Sequence, residues 1–303
     1  MGLWRSLGAR FHGMEEVVGS IPTRSTIFSI IYSSQLLVPC RQFPAPLKLP
    51  LGILVFSMAQ QPVKNTTIAA GEAHFWEIPI AVDVEKIPSM LTLFSDDEVQ
   101  RANRFHFEKD RTRFIAARAA MRQILAGYVN IPPQQLVFLY GAQGKPELPS
   151  GMAGPDIRFN LSHSRDFALL AVTHGQTVGV DIEYINRDFA REGIAERFFS
   201  PHEVGILRAV PPDELAEAFF CCWTRKEAYI KALGKGFAVP LNSFDVAFGR
   251  GVTPALLRVE PPQESSRWSM YAVTAPAGYT AAAVIEGHDH HLQQHVWVDS
   301  GAD

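Results

Sequence analysis

Val178-Gly179-Val180-Asp181-Ile182-Glu183, followed further on by Trp223-Thr224-Arg225-Lys226-Glu227-Ala228-Tyr229-Ile230-Lys231, decides how this chain is organised. The first stretch reads as a strand, and its alternation sends Asp181 and Glu183 to one side. The second reads as a helix in which Trp223, Glu227 and Lys231, each four residues apart, share a face and set a carboxylate beside an ammonium. Gly234-Lys235-Gly236 then supplies a helix stop and a loop that permits close approach. Taken singly, each pattern has an ordinary explanation: two acids on a solvated strand face, and a surface Glu-to-Lys pair. Together they offer three acids and one lysine, a set able to hold magnesium against a pyrophosphate. Val178, Val180 and Ile182 make the strand apolar, so its acids are expected on the exposed face of a core element. There a cation is their simplest counter-charge.

Composition narrows the field. The 303 residues are 47% hydrophobic and 19% charged, which describes a globular chain, best divided in two. A net charge of −3 supplies no basic field of the kind nucleic acid requires, so any anion site must be local. The three cysteines, Cys40, Cys221 and Cys222, have no metal-ligand spacing and read as ordinary thiols of a reducing cytoplasm. Apolar runs at 26–40 and 47–58 are interrupted and too short to span a membrane.

Residues 1–57 lack any periodicity and are not expected to fold. Val18 to Thr26 resembles the translated 3′ end of a transfer RNA gene, which moves the expected start to Met58. A secretory leader at 47–58 is the competing reading, and it would begin far from the N-terminus. Order begins near Phe75, with a strand at 75–80, a capping box at Ser95-Asp96-Asp97-Glu98 and a long helix from Glu108. Phe114, Ala117, Met121, Ile124, Leu125 and Tyr128 recur at helical spacing, and Arg111, Arg118 and Arg122 line a neighbouring, basic side. Strands are predicted at 135–140, 157–161, 166–173 and 177–183, then helices at 201–209 and 213–234, then strands at 243–248, 267–274 and 279–286. Helix plus antiparallel strands, twice over, predicts an α+β fold of two similar halves, 70–176 and 177–288.

Other segments suit phosphate. Asn160-Leu161-Ser162-His163-Ser164, read as the end of a strand at a turn, offers hydroxyls, an imidazole and backbone amides. Its Ser-His pair is no hydrolase dyad, because adjacent residues rarely meet as nucleophile and base and no Gly-x-Ser-x-Gly elbow is present. Gly144-Lys145-Pro146 reads as a surface turn. Arg101, Arg104 and Arg113 bring the side chain that best forks onto a phosphate monoester.

These residues carry a resemblance to the 4′-phosphopantetheinyl transferases of the larger, surfactin-synthetase-activating (Sfp) class. It runs from about Met90 to Gly287 in five ordered signatures: Arg-Phe at 104, Gly-Lys-Pro at 144, Phe-Asn-Leu-Ser-His-Ser at 159, Val-Gly-Val-Asp-Ile-Glu at 178, and the helix at Trp223. The resemblance implies a pseudo-twofold pair of α+β halves with the site in the cleft between them. It implies transfer of the 4′-phosphopantetheine arm of coenzyme A to a serine of an acyl or peptidyl carrier protein, releasing adenosine 3′,5′-bisphosphate. By resemblance Asp181, Glu183 and Glu227 match the magnesium ligands, Lys231 a lysine on the coenzyme A phosphates, and Glu227 also a general base. Lys145 matches a residue beside the adenine, Ser162 and His163 match phosphate contacts, and Arg113 and Arg101 fall near the 3′-phosphate. A single chain would then hold a complete site, so a monomer is expected, with neither nucleic acid nor membrane as partner. Arg187, Arg191 and Arg197 read either as a basic rim able to receive an acidic carrier or as an ordinary solvated loop. A magnesium-dependent phosphohydrolase and a non-catalytic carrier-binding module are the rival readings.

Overall fold

The computed structural model describes residues 66–141, 144–149, 151, 155–189, 193–234 and 239–299. The expected start at Met58, the segment 1–57, Arg191 and Lys235 lie outside them. The elements run β1 (Glu72–Pro79), α1 (Ile87–Leu91), α2 (Asp96–Ala102), α3 (Glu108–Val129), β2 (Leu139–Tyr140), β3 (Pro146–Glu147), β4 (Ile157–Ser164), β5 (Phe167–His174) and β6 (Val178–Tyr184). The second half continues with α4 (Ile194–Phe198), α5 (Pro201–Ala209), α6 (Leu215–Leu233), β7 (Asp245–Ala247), β8 (Ala255–Arg258), β9 (Trp268–Val273), β10 (Tyr279–Glu286) and β11 (His291–Val296).

Two sheets, ordered β11-β1-β5-β4 and β6-β10-β9, lie between the two long helices. Strand β5 shows why. Its run Phe-Ala-Leu-Leu-Ala-Val is apolar on both faces, so both must be covered. Ala168, Leu170 and Val172 join Trp76, Ile115, Met121, Ile124 and Leu125 in a core beneath α3. Leu169 and Ala171 join Val178, Val180, Ile182, Ala283 and Ile285 in a second core between the sheets. A third core packs α6, through Phe219, Trp223 and Tyr229, against β9 and β10. The order of layers is helix, sheet, sheet, helix, and the fold is α+β, with one long helix and one antiparallel sheet segment in each half.

Close approach of α6 to β6 depends on one residue. A Cβ added to Gly179 would meet the backbone of α6 at Ala228 O (2.1 Å) and Ala232 N (2.3 Å). Only glycine fits there.

Several expectations require correction. Of the stretch 135–140 only Leu139–Tyr140 is strand: Gln135 ends a 3-10 turn begun at Pro133 and 136–138 are irregular, because Pro132 and Pro133 bend the chain out of any ladder. The basic side of α3 is not a surface: Arg118 and Arg122 are buried, both bound to Glu98 of α2, with Arg122 Nε 2.7 Å from Glu98 Oε2. Two arginines can be buried there because a carboxylate and the carbonyls of Pro133 and Leu136 take their donors. Strand β11 was outside the expected halves, and it returns to pair parallel with β1, from Glu72↔His291 to Glu77↔Val296.

Candidate active site

The acids of β6 face inward. Val180 and Ile182 point into the core between the sheets, so Gly179, Asp181 and Glu183 point toward α6, and both acids are buried (2% and 4% exposed). The expectation that they occupy an exposed face is therefore overturned. Helix α6 is itself buried on all sides from Cys222 to Ala232, its charged residues included. Arg225 donates to the carbonyl of Ala247. Lys226 is held by Glu203 at 2.7 Å and by the carbonyls of Leu241 and Phe244.

Lys231 is where the predicted residues meet. Its Nζ donates to Asp181 Oδ1 (2.6 Å) and to Ser162 Oγ (2.8 Å), and Ser162 donates in turn to Asp181 Oδ1 (2.8 Å). The counter-charge of Asp181 is this lysine. Asp181 Oδ2 remains buried with no hydrogen-bond partner. Glu227 lies on the same helix one turn before Lys231 and is also buried.

Strand β4 supplies the other wall. Ser162 and His163 lie within the strand and not at a turn, so they point to opposite faces. Asn160, Ser162 and Ser164 form a row facing β6, whose outer edge pairs with no strand among the described residues. Asn160 Oδ1 accepts from Val180 N–H (2.8 Å), Ser162 Oγ from Ile182 N–H (3.4 Å) and Ser164 Oγ from Tyr184 N–H (3.1 Å). Side chains thus satisfy an edge that a strand would otherwise cover. Ser164 also donates to Glu183 Oε2 at 2.7 Å.

Around this centre lies positive charge. Burial pushes the His163 imidazole down to about 4, and nearby Lys231, Arg113 and Arg101 reinforce the shift. Those residues therefore share one electrostatic neighbourhood. Arg113 is anchored to Asp166 at 2.6 Å, and the Arg101 guanidinium lies 5.4 Å from the centre of the Phe114 ring. Lys145, expected on a surface turn, is buried: its Nζ donates to the carbonyls of Val178 (3.0 Å) and Lys231 (3.1 Å). Burial holds its ammonium down to about 8. Beside it opens a small cleft lined by Glu147, Ile157, Arg158, Phe159 and Thr177.

The donor set fits a hard cation. Its candidates are carboxylate oxygens, and one of them, Asp181 Oδ2, is buried and unsatisfied. Among the described residues no group of three or more His, Cys, Asp or Glu is arranged to hold a metal unaided. Completion by water and phosphate is the usual condition of magnesium sites.

The sequence reading omitted Ser164, Asn160, Glu203 and Lys226 from the site and its supports. Alternation along Asn160-Leu161-Ser162-His163-Ser164 marks the first two. Ser200-Pro201-His202-Glu203, the same spacing as the capping box at Ser95, marks the third.

A two-half α+β fold with buried acids, a lysine and a basic surround has the charges that suit phosphorylated substrates. The model of the 4′-phosphopantetheinyl transferase superfamily matches residues 177–284, and that of the 4′-phosphopantetheinyl transferase N-terminal region matches 82–175. Over 223 residues the chain is 37% identical to the 4′-phosphopantetheinyl transferase HetI of a Nostoc species, covering 74% of this chain and 91% of that protein. It is 32% identical to the 4′-phosphopantetheinyl transferase Sfp of Bacillus subtilis, over 54% of this chain and 70% of that one. A holo-(acyl-carrier-protein) synthase structure from Bacillus anthracis aligns with 22% identity and a TM-score of 0.31, over 37% of this chain and 96% of that one. The chain belongs to the 4′-phosphopantetheinyl transferase family and is an enzyme of the larger Sfp-type class.

Proposed function

We propose that the chain transfers the 4′-phosphopantetheine arm of coenzyme A to a serine of an apo acyl or peptidyl carrier protein, in a magnesium-dependent reaction that releases adenosine 3′,5′-bisphosphate. The observation that carries this reading is the convergence of Lys231, Asp181 and Ser162 within 2.8 Å, one residue from each of three family signatures. Asp181, Glu183 and Glu227 would hold the magnesium, which when bound neutralises pyrophosphate charge.

Glu227 takes the proton of the carrier serine as its oxygen bonds to the β-phosphorus of coenzyme A. The bond from that phosphorus to the bridging oxygen breaks, and the negative charge leaves with adenosine 3′,5′-bisphosphate. Lys231 stabilises that developing charge, at the cost of loosening its hold on Asp181. Arg101 and Arg113 form the basic surround that receives the 3′-phosphate, with His163 beside them. A neutral His163 donates one hydrogen bond without adding a further charge. The cleft beside Lys145 gives the adenine a wall of Ile157 and Phe159.

The test is incubation with coenzyme A, magnesium and several apo carriers, read by intact-mass spectrometry. A phosphopantetheine gain on the carrier is expected, and carrier-independent cleavage of coenzyme A would point instead to a phosphohydrolase. Asp181→Ala and Glu227→Gln should each abolish transfer while leaving the fold intact, and near-native turnover in either would remove that residue from its role.

A further inference from the structure

Serine has one hydrogen to donate and two lone pairs to accept with. At Ser162 all three are committed. Its proton goes to Asp181 Oδ1, and its lone pairs receive Lys231 Nζ and Ile182 N–H. A phosphate oxygen, which only accepts, could engage this hydroxyl only by displacing Asp181. Ser164 repeats the arrangement one strand repeat further on, accepting from Tyr184 N–H and donating to Glu183 Oε2. One lone pair is taken by that backbone N–H, and the proton is directed at Glu183. The two serines face the two acids at matching i, i+2 positions on the edge strands of the two sheets, and all four side chains are buried.

We propose that Ser162 and Ser164 are positioning residues, each holding one oxygen of a site carboxylate and so setting how that carboxylate meets the cation, and that Ser162 is not a ligand of a coenzyme A phosphate. At Asp181 the division is complete: Oδ1 receives the serine and the lysine, while Oδ2 is buried and unpartnered. A carboxylate held at one oxygen cannot rotate, and partners behind a metal ligand set its orientation and its affinity. This inference rests on the magnesium reading above.

The experiment measures Mn2+ binding by electron paramagnetic resonance, and separately measures adenosine 3′,5′-bisphosphate binding by calorimetry in chelator, for the wild-type chain and for Ser162→Ala, Ser164→Ala and Ser164→Thr. Both alanine variants should weaken Mn2+ binding roughly tenfold or more. Their metal-free binding of the bisphosphate should be unchanged, and Ser164→Thr, which keeps the hydroxyl, should recover Mn2+ affinity. Weakened metal-free bisphosphate binding in Ser162→Ala, with Mn2+ affinity intact, would show a phosphate ligand and overturn the proposal. Native Mn2+ affinity in Ser164→Ala would overturn it for Glu183. Wild-type protein that transfers the arm yet retains no Mn2+ would overturn the metal reading, and the proposal with it. Thermal midpoints recorded alongside separate a local effect from loss of fold.

Discussion

In the N-terminal half, Glu98 reaches back to Ser95 N–H at the start of α2 and receives Arg118 and Arg122 from α3; in the C-terminal half, Glu203 reaches back to Ser200 N–H at the start of α5 and receives Lys226 from α6. One device thus occurs twice: a capping glutamate that also locks the short helix to the long one. The halves differ in what else the long helix bears. Helix α3 is rich in alanine and fills a core, whereas α6 bears Glu227 and Lys231 beside its locked Lys226. The comparison teaches that the ion pair belongs to the scaffold of both halves, while the candidate chemistry of Glu227 and Lys231 sits on the long helix of one.

The largest expected effect tests the contact that only the second half has. Gly179→Val should prevent folding or remove about 4 kcal/mol or more from the unfolding free energy in urea, since the obstruction is backbone that no rotamer can avoid. A loss below about 1 kcal/mol would mean that α6 does not sit so tightly on β6. Next come the paired locks. Glu98→Gln and Glu203→Gln should each cost about 3–5 kcal/mol by leaving buried cations uncompensated. Glu203→Gln should also lower kcat, because α6 positions Glu227 and Lys231, while Glu98→Gln should leave kcat near native. Equal losses of kcat would break the distinction between scaffold and site.

A smaller effect belongs to the N-terminal half alone. His74 is buried against Tyr128 and His295, and burial holds its imidazole down to about 4 from an ordinary value of 6.5. Its neutral form is the folded one, so stability is intact above about 6.5 and is lost as pH falls toward about 4, by about 3 kcal/mol in all. Thermal midpoints of wild type and His74→Gln across that range should converge toward acid. Parallel curves would refute the assignment. The smallest change is a control on Gly179: a Cβ at Gly205 of α5 meets nothing within 4 Å, so Gly205→Ala should stabilise by about 1 kcal/mol.

Local signals were read well. The helices at Glu108 and Pro201 begin where predicted, and α6 and β10 fall within a residue or two of their expected bounds, because caps and periodicity are written in adjacent residues. Readings failed where a partner lies far along the chain. Nothing near Arg118 or Arg122 distinguishes a buried arginine from a solvated one, since Glu98 makes the difference. Lys145 looks like a turn residue until the carbonyls of Val178 and Lys231 arrive beside it. The acids of β6 were recognised as a pair, but their inward direction follows from α6 and from the serine row of β4. Strand β11, with His291, Gln293, Gln294 and His295, is too polar to announce itself, and its pairing with β1 is what defines it.

That last pairing bears on how the molecule is made. Strand β11 leaves the ribosome after both long helices and every other described strand, yet it is the parallel neighbour of β1, the first strand among the described residues. Domains ordinarily fold as they are synthesised, N-terminal part first. The pairing seen on the outer edge of β1 therefore cannot form until the second half has been translated. The two halves resemble each other in design, but neither is finished before the other.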